Sequence, residues 1–230
     1  MMTVEERVAR LAASVAQGLP SVGVIGLGSG TTAEAVVRAL GERIAGEHGF
    51  SAVGVATSNR TAQLAESVGI QICDLSDVDS IDIGFDGADE IDPELNLVKG
   101  RGGALLYEKL VAEICRDYMV VSTDEKLVAR LGTRLPLPVE VVPYGWVHTR
   151  RRLAELGLTP ELRGGKADPF RTDAGNVILD CTPEQGLDLL ALAPKIKDIT
   201  GVVEHGIFPG LARRAAIVDA GGHVEFLLRA

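Results

Sequence analysis

Short apolar runs alternate with amphipathic stretches through the first half of the chain, and that alternation restricts the fold more than any other feature. Residues 22–25, 52–56, 81–85 and 118–122 read as strands, with a further short one at 70–72. Between them, Ala33, Val36, Val37, Leu40 and Ile44 recur at helical spacing, and 60–68 and 104–115 predict further helices. Ahead of them all, Thr3 and Glu6 spell a capping box for a helix whose apolar face is Val4, Val8, Leu11, Ala12 and Val15, ended by Gly18 and Pro20. Strands that alternate with helices pair in parallel and carry the helices on their faces. Ligands of such sheets collect at the carboxyl ends of the strands.

After Gly132 the pattern changes. Residues 135–143 are punctuated by proline, 145–156 and about 183–192 read as helices, and 176–179 and 201–203 as short strands. A smaller α+β unit with two helices on an antiparallel sheet is expected there. Residues 215–218 and a last short β segment then return to the first sheet. The expectation is an α/β protein. A Rossmann-like parallel sheet flanked by helices occupies 1–132 plus 208–230, and a second, smaller α+β (ferredoxin-like) domain occupies 133–207.

Composition narrows the function classes. The 230 residues carry a net charge of −9, which disfavours a general nucleic-acid or anionic-membrane binder. The 27 glycines exceed the average of about 7% without a collagen-like period, so they mark tight turns and close backbone approaches. Cys73, Cys115 and Cys181 are odd in number and widely spaced, which suits buried free thiols and a reducing, cytoplasmic setting. The N-terminal stretch lacks the features of a signal peptide, and no run approaches the ~18 apolar residues of a membrane span.

Three segments could carry chemistry. The first is Gly26-Leu27-Gly28-Ser29-Gly30-Thr31-Thr32, a glycine-rich strand-to-helix turn that offers backbone N–H groups and hydroxyls to an anion. It lacks the lysine of a P-loop. It also has Thr31 where a dinucleotide fingerprint needs glycine. The second, Asp86-Gly87-Ala88-Asp89-Glu90, puts three carboxylates at a strand end, where they suit acid–base work or a hard cation. The third, Lys99-Gly100-Arg101-Gly102-Gly103, is a cationic glycine loop opening the helix that holds Glu108 and Lys109. Two aspartates, a lysine, a glutamate and an anion cradle suit proton abstraction next to a carbonyl. His48, His148, His205 and His223 lie outside these loops and read as surface or structural residues.

Taken in order, GLGSGTTA, ATSNRT, FDGADEID, KGRGGALLYEK, STDEKLV, LPLPVEVVP, DAGNVILD and GVVEHGIF span most of the chain, and the sequence resembles the type A ribose-5-phosphate isomerases. The resemblance implies interconversion of ribose 5-phosphate and ribulose 5-phosphate through an enediol, in the non-oxidative pentose phosphate pathway, with no metal and no organic cofactor. It makes Glu108 the base, links Asp86 to ring opening and hydroxyl proton shuttling, and gives Asp89 and Lys99 the enediolate oxygens. Substrate contacts implied by the same resemblance fall on Ser29, Gly30, Thr31 and Thr32, on Asp86, Gly87, Ala88 and Asp89, on Lys99, Gly100, Arg101 and Gly102, and on Lys126. Arg7 stands in for a lysine that the family often places near the phosphate. Ser29, Thr31, Arg101 and Tyr107 are small departures that remove no catalytic group. The implied partner is a small sugar phosphate, with no nucleic acid or membrane. The implied assembly is a homodimer, with a tetramer as the alternative. A sugar-phosphate-binding regulatory domain and a CoA-transferase-like enzyme of the same fold are the competing functions.

Overall fold

In the computed structural model, which describes residues 2–46 and 48–229, the first local signal is met in full. The Thr3 hydroxyl accepts the Glu6 N–H at 3.2 Å, and the Thr3 N–H donates to Glu6 Oε2 at 2.7 Å. Helix α1 (Val4–Gly18) follows, then β1 (Val24–Leu27), α2 (Gly30–Gly46), β2 (Val53–Ala56), α3 (Asn59–Ser67) and β3 (Ile81–Asp86). Two short strands, β4 (Glu90–Ile91) and β5 (Leu97–Val98), precede α4 (Leu105–Ile114) and β6 (Cys115–Thr123). Next come β7 (Leu137–Val141), α5 (Trp146–Ala154), β8 (Leu158–Leu162), β9 (Val177–Pro183), α6 (Leu189–Lys197) and β10 (Val202–His205). The chain closes with β11 (Ile207–Phe208), β12 (Arg214–Val218) and β13 (Val224–Leu228).

These elements divide into two compact units. One comprises Met1–Ala88, Tyr107–Leu127 and Gly210–Ala230, the other Asp89–Leu106 and Val128–Pro209. The expected division, 1–132 plus 208–230 against 133–207, differs from these units in where 89–106, 128–132 and 208–209 fall. Residues 1, 47 and 230 of it lie outside the described residues.

The first unit is built on a six-stranded sheet in the order β13-β12-β6-β3-β1-β2, parallel except for β13 against β12. The chain goes from β1 outward to β2 and then crosses to β3 on the other side of β1. That reversal creates a topological switch point at the carboxyl ends of β1 and β3. Leu11 and Val15 of α1 and Val36, Val37 and Leu40 of α2 are sealed against Ile25, Leu27, Phe85 and Val121 on one face. On the other face Val111 of α4 packs with Val55 and Ile81. Gly26 makes that approach feasible, since a Cβ there would lie 2.8 Å from Val111 Cγ1.

The second unit holds a four-stranded antiparallel sheet in the order β10-β7-β9-β8. Its order along the chain, strand-helix-strand-strand-helix-strand, is the ferredoxin-like arrangement. Leu137, Val139 and Val141 bury one face of β7 with Leu153 of α5 and Leu192 and Ile196 of α6. A second, three-stranded sheet in the order β11-β5-β4 belongs to the same unit.

Two expected elements differ from those found. Residues 70–72 form only a bridge, Gly54 to Ile72, rather than a strand. The helix expected at 183–192 starts later, at Leu189, where the Asp188 carboxylate accepts the N–H groups of Leu190 and Ala191, and it runs past Pro194 to Lys197. Among the described residues, no helix is long and apolar enough to cross a membrane.

Candidate active site

Glycine at position 28 lets two strand ends of the first unit come together at the switch point. A Cβ on Gly28 would lie 2.4 Å from Asp86 Oδ1, so only glycine fits there while Asp86 keeps its place. Asp86 ends β3 and is fully buried. Its Oδ1 accepts the Ser29 N–H at 3.0 Å and the Gly87 N–H at 2.7 Å. These backbone bonds fix where the carboxylate sits, so Asp86 is held by the very turn that was expected to cradle an anion.

That turn opens α2. Gly30 takes φ +84, a left-handed conformation that glycine adopts without strain. Thr31 is exposed and Thr32 half-buried in the first helical turn, where backbone N–H groups have no intrahelical acceptor and negative charge is favoured. Ser29 behaves differently from its neighbours. Its hydroxyl lies 2.7 Å from Thr57 Oγ1, 3.0 Å from Ser58 Oγ and 3.2 Å from Thr61 Oγ1. This four-hydroxyl cluster ties the β1–α2 turn to the start of α3. Thr57 and Thr61 are buried and bond in turn to the Leu27 and Gly28 carbonyls.

Glu108 lies in the first turn of α4 and is 4% exposed. The same unit buries a polar residue that the sequence did not single out. The Tyr118 phenol, on β6 beside Gly84 of β3, is held well above its ordinary value. Burial is the main cause, followed by the negative charges of Asp86 and Glu108, then Cys115 and a hydrogen bond with Asp86. The phenol therefore stays neutral in its buried setting. The available signal was a tyrosine opening the apolar run 119–121 of β6, since a buried Tyr hydroxyl ordinarily seeks a polar neighbour.

Lys126 ends a 3-10 turn, Asp124–Lys126, that follows β6. Arg7 is buried, and its guanidinium reaches Asp124 Oδ1 at 3.2 Å and Glu125 Oε1 at 2.5 Å. Arg7 therefore braces the turn that presents Lys126.

In the second unit, Asp89 and Lys99 flank the β4–β5 hairpin. The Asp89 N–H donates to the Val98 carbonyl at 2.8 Å, and Asp89 Oδ2 accepts the Arg101 N–H at 3.0 Å. Lys99 is 2% exposed, with its backbone N–H on the Gly206 carbonyl and its Nζ 5.6 Å from the centre of the Phe208 ring. Gly100, at φ +106, packs against Leu105, whereas the Arg101 side chain and Gly102 are exposed. The third carboxylate of the acidic segment has a purely architectural use. Glu90 is fully buried and accepts the N–H groups of Gly132, Arg134 and Leu135 at 2.6, 2.7 and 3.1 Å. Among the described residues, no three His, Cys, Asp or Glu side chains are grouped to hold a metal ion.

The family model for ribose 5-phosphate isomerase A (phosphoriboisomerase A) matches residues 53–222 of the chain. The chain belongs to this family. Ribose-5-phosphate isomerase A of Thermomicrobium roseum is 50% identical over 211 residues, which cover 90% of this chain and 86% of that one. The solved structure of ribose 5-phosphate isomerase A from Methanocaldococcus jannaschii superimposes with a TM-score of 0.91 at 34% identity, covering 98% and 100% of the two chains. A solved D-ribose-5-phosphate isomerase in complex with phospho-erythronic acid gives 0.93 at 36% identity, covering 99% and 100%. Among members of the ribose 5-phosphate isomerase A family, then, this chain matches over nearly its whole length in sequence and in fold.

Proposed function

We propose that the chain interconverts D-ribose 5-phosphate and D-ribulose 5-phosphate through an enediol. The observation that carries the reading is a pair of buried carboxylates in the first unit, Asp86 at the end of β3, fixed by the Ser29 and Gly87 N–H groups, and Glu108 in the first turn of α4. Buried acids at a strand end and a helix start are placed for proton transfer rather than for display to solvent. Family membership, and the phosphorylated sugar acid bound by the relative of known structure, point the same way.

The chemistry follows the aldose–ketose exchange. Glu108, as carboxylate, takes the proton from carbon 2 of the open-chain sugar. The electron pair left behind forms the carbon 1–carbon 2 double bond, and negative charge passes to the oxygen on carbon 1. Glu108, now protonated, returns the proton to carbon 1 while the oxygen on carbon 2 becomes the ketone. Asp86 opens the ring and moves protons between the hydroxyls. Asp89 and Lys99 take the family's role at the enediolate oxygens, an electrostatic stabilisation of charge that develops during the reaction. The amino end of α2, with Thr31 and Thr32, and Lys126 supply positive potential for the phosphate. No step needs a metal or an organic cofactor. A homodimeric assembly, with a tetramer as the alternative, and a cytoplasmic setting complete the reading.

Direct measurement of aldose–ketose conversion tests it, with purified protein and Glu108→Gln as the control. Conversion by the wild type that is lost in the variant supports the assignment. A regulatory domain would bind the sugar phosphate without converting it, and a CoA-transferase-like enzyme would require a thioester. Either result overturns the reading.

A further inference from the structure

The loop that carries Lys99 is gripped from below by one side chain of the second unit. Arg163 follows β8, and its guanidinium forms a fork with Asp180 of β9, Nε to Oδ2 at 2.8 Å and Nη2 to Oδ1 at 2.5 Å. The remaining nitrogen, Nη1, donates to the carbonyls of Gly100 at 3.2 Å and Arg101 at 3.0 Å. Phe170 stacks on the same guanidinium, 5.6 Å from its carbon to the ring centre. The same ring fills the space beside Gly103, where a Cβ would lie 2.4 Å from Phe170 Cζ. One guanidinium thus joins a carboxylate on the sheet, an aromatic ring and two successive carbonyls of the glycine loop.

We propose that Arg163 is a positioning residue for the isomerisation, setting the 99–103 loop so that Lys99 and the Arg101 N–H are held in register with Asp89. This rests on the functional reading above and deepens it. A loop with glycine at 100, 102 and 103 has little stiffness of its own, so its conformation must be imposed from outside. The Gly103 N–H closes a turn on the Gly100 carbonyl at 3.0 Å, and the Arg101 N–H meets Asp89 at 3.0 Å. Arg163 acts on the carbonyls of the 100–101 and 101–102 peptide groups, the first of which also supplies the Arg101 N–H, and it shares the Gly100 carbonyl with the Gly103 N–H. A lysine could not replace it, because a single ammonium lacks the planar fork that bonds the carboxylate and the loop together. Misplacing a reacting group by about 1 Å is worth up to about 100-fold in rate, so the expected effect falls on turnover rather than on binding of the phosphate.

Two measurements test this together. The first is hydrogen exchange of the Arg101 and Gly103 amides in Arg163→Gln. Both should exchange faster than in wild type, while amides of β7 and β9 keep their protection. The second is kinetics, where kcat should fall about 10- to 100-fold with KM changed less than about threefold. In a Lys99→Met background the same Arg163→Gln change should cost less than about threefold, because the loop no longer presents the amine. Asp180→Asn, which loosens the fork but keeps its shape, should give the same pattern more weakly and replaces Arg163→Gln if that variant does not fold. Unchanged loop exchange, unchanged kcat, or an equal loss with and without Lys99 overturns the proposal. Failure of the functional reading is separate, since it appears as absent conversion by the wild type, and loop exchange still decides whether Arg163 sets the loop.

Discussion

Glu108 is nearly sealed from solvent, so a glutamine in its place alters charge and proton affinity while changing little else. Turnover of Glu108→Gln should fall by the ~10²–10⁴-fold associated with a lost general base, with ribose 5-phosphate binding almost unchanged. Steady-state kinetics with a separate binding measurement decides this, and near wild-type turnover would remove Glu108 from the role. Thr31 gives a contrasting case. It is exposed at the amino end of α2, so Thr31→Ala should raise KM and lower kcat/KM for ribose 5-phosphate by roughly 10- to 150-fold, the worth of a charge-assisted hydrogen bond. The loss for unphosphorylated ribose should be much smaller, and an equal loss for both sugars would sink the anchoring role. Asp86, Asp89 and Lys99 draw notice in the sequence as charged groups in glycine-bearing segments, whereas Glu108 alone reads as an ordinary glutamate in a first helical turn and is singled out by the family resemblance. Tyr118 draws no notice, because an isolated tyrosine in a strand looks like core until its neighbours are known. Nor did the sequence separate Ser29, whose hydroxyl ties two turns together, from Thr31 and Thr32 beside it.

Elements differ in how openly they advertise themselves. The parallel strands of the first unit are buried over most of their length, so short apolar runs such as 119–121 and 215–218 stand out in the sequence. The β4, β5 and β11 strands have two residues each, too few for any period, and exist only because they pair with one another. The β7 strand was obscured by Pro138, which removes a donor yet sits in the middle of the sheet and still accepts the Gly206 N–H through its carbonyl at 2.8 Å. For α6 the misleading residue was Pro194. It removes one helical hydrogen bond, but burial of Leu192, Ala193 and Ile196 carries the helix past it. The β12–β13 hairpin offers a test at this scale. Asp219 Oδ1 accepts the N–H groups of Gly221 at 2.8 Å and His223 at 2.9 Å. Backbone N–H groups, that of His223 foremost, hold its carboxyl below the ordinary 3.8. Because the folded value is depressed, the stabilising effect is present above the unfolded value and lost as pH falls through the folded one. Asp219→Ala should therefore melt below wild type at pH 7, and the gap should close as the pH is taken below about 3.8. A gap independent of pH would show that the charge contributes nothing to the turn.

For the molecule as a whole, the proposed reaction relies on carboxylates and an amine, and the acidic segment is already divided among other duties. Glu90 serves the backbone at 132–135 and Asp86 the β1–α2 turn. Dialysis against EDTA should leave isomerisation unchanged, and activity that disappears and returns with magnesium or zinc would revive a cation at the carboxylates. The two-unit division has a different kind of consequence. The chain passes from one unit to the other four times, at 88/89, 106/107, 127/128 and 209/210, so neither unit corresponds to a continuous stretch of message. A ribosome that stopped at residue 209 would deliver β6 without β12, its parallel neighbour. That would leave a bare edge lined by Val120 and Val121, the sort of strand that recruits other chains. Folding during synthesis must therefore wait for β12 and β13, residues 214–228, before the first sheet is complete, and a nascent chain short of that point is material for chaperones and proteases rather than half an enzyme.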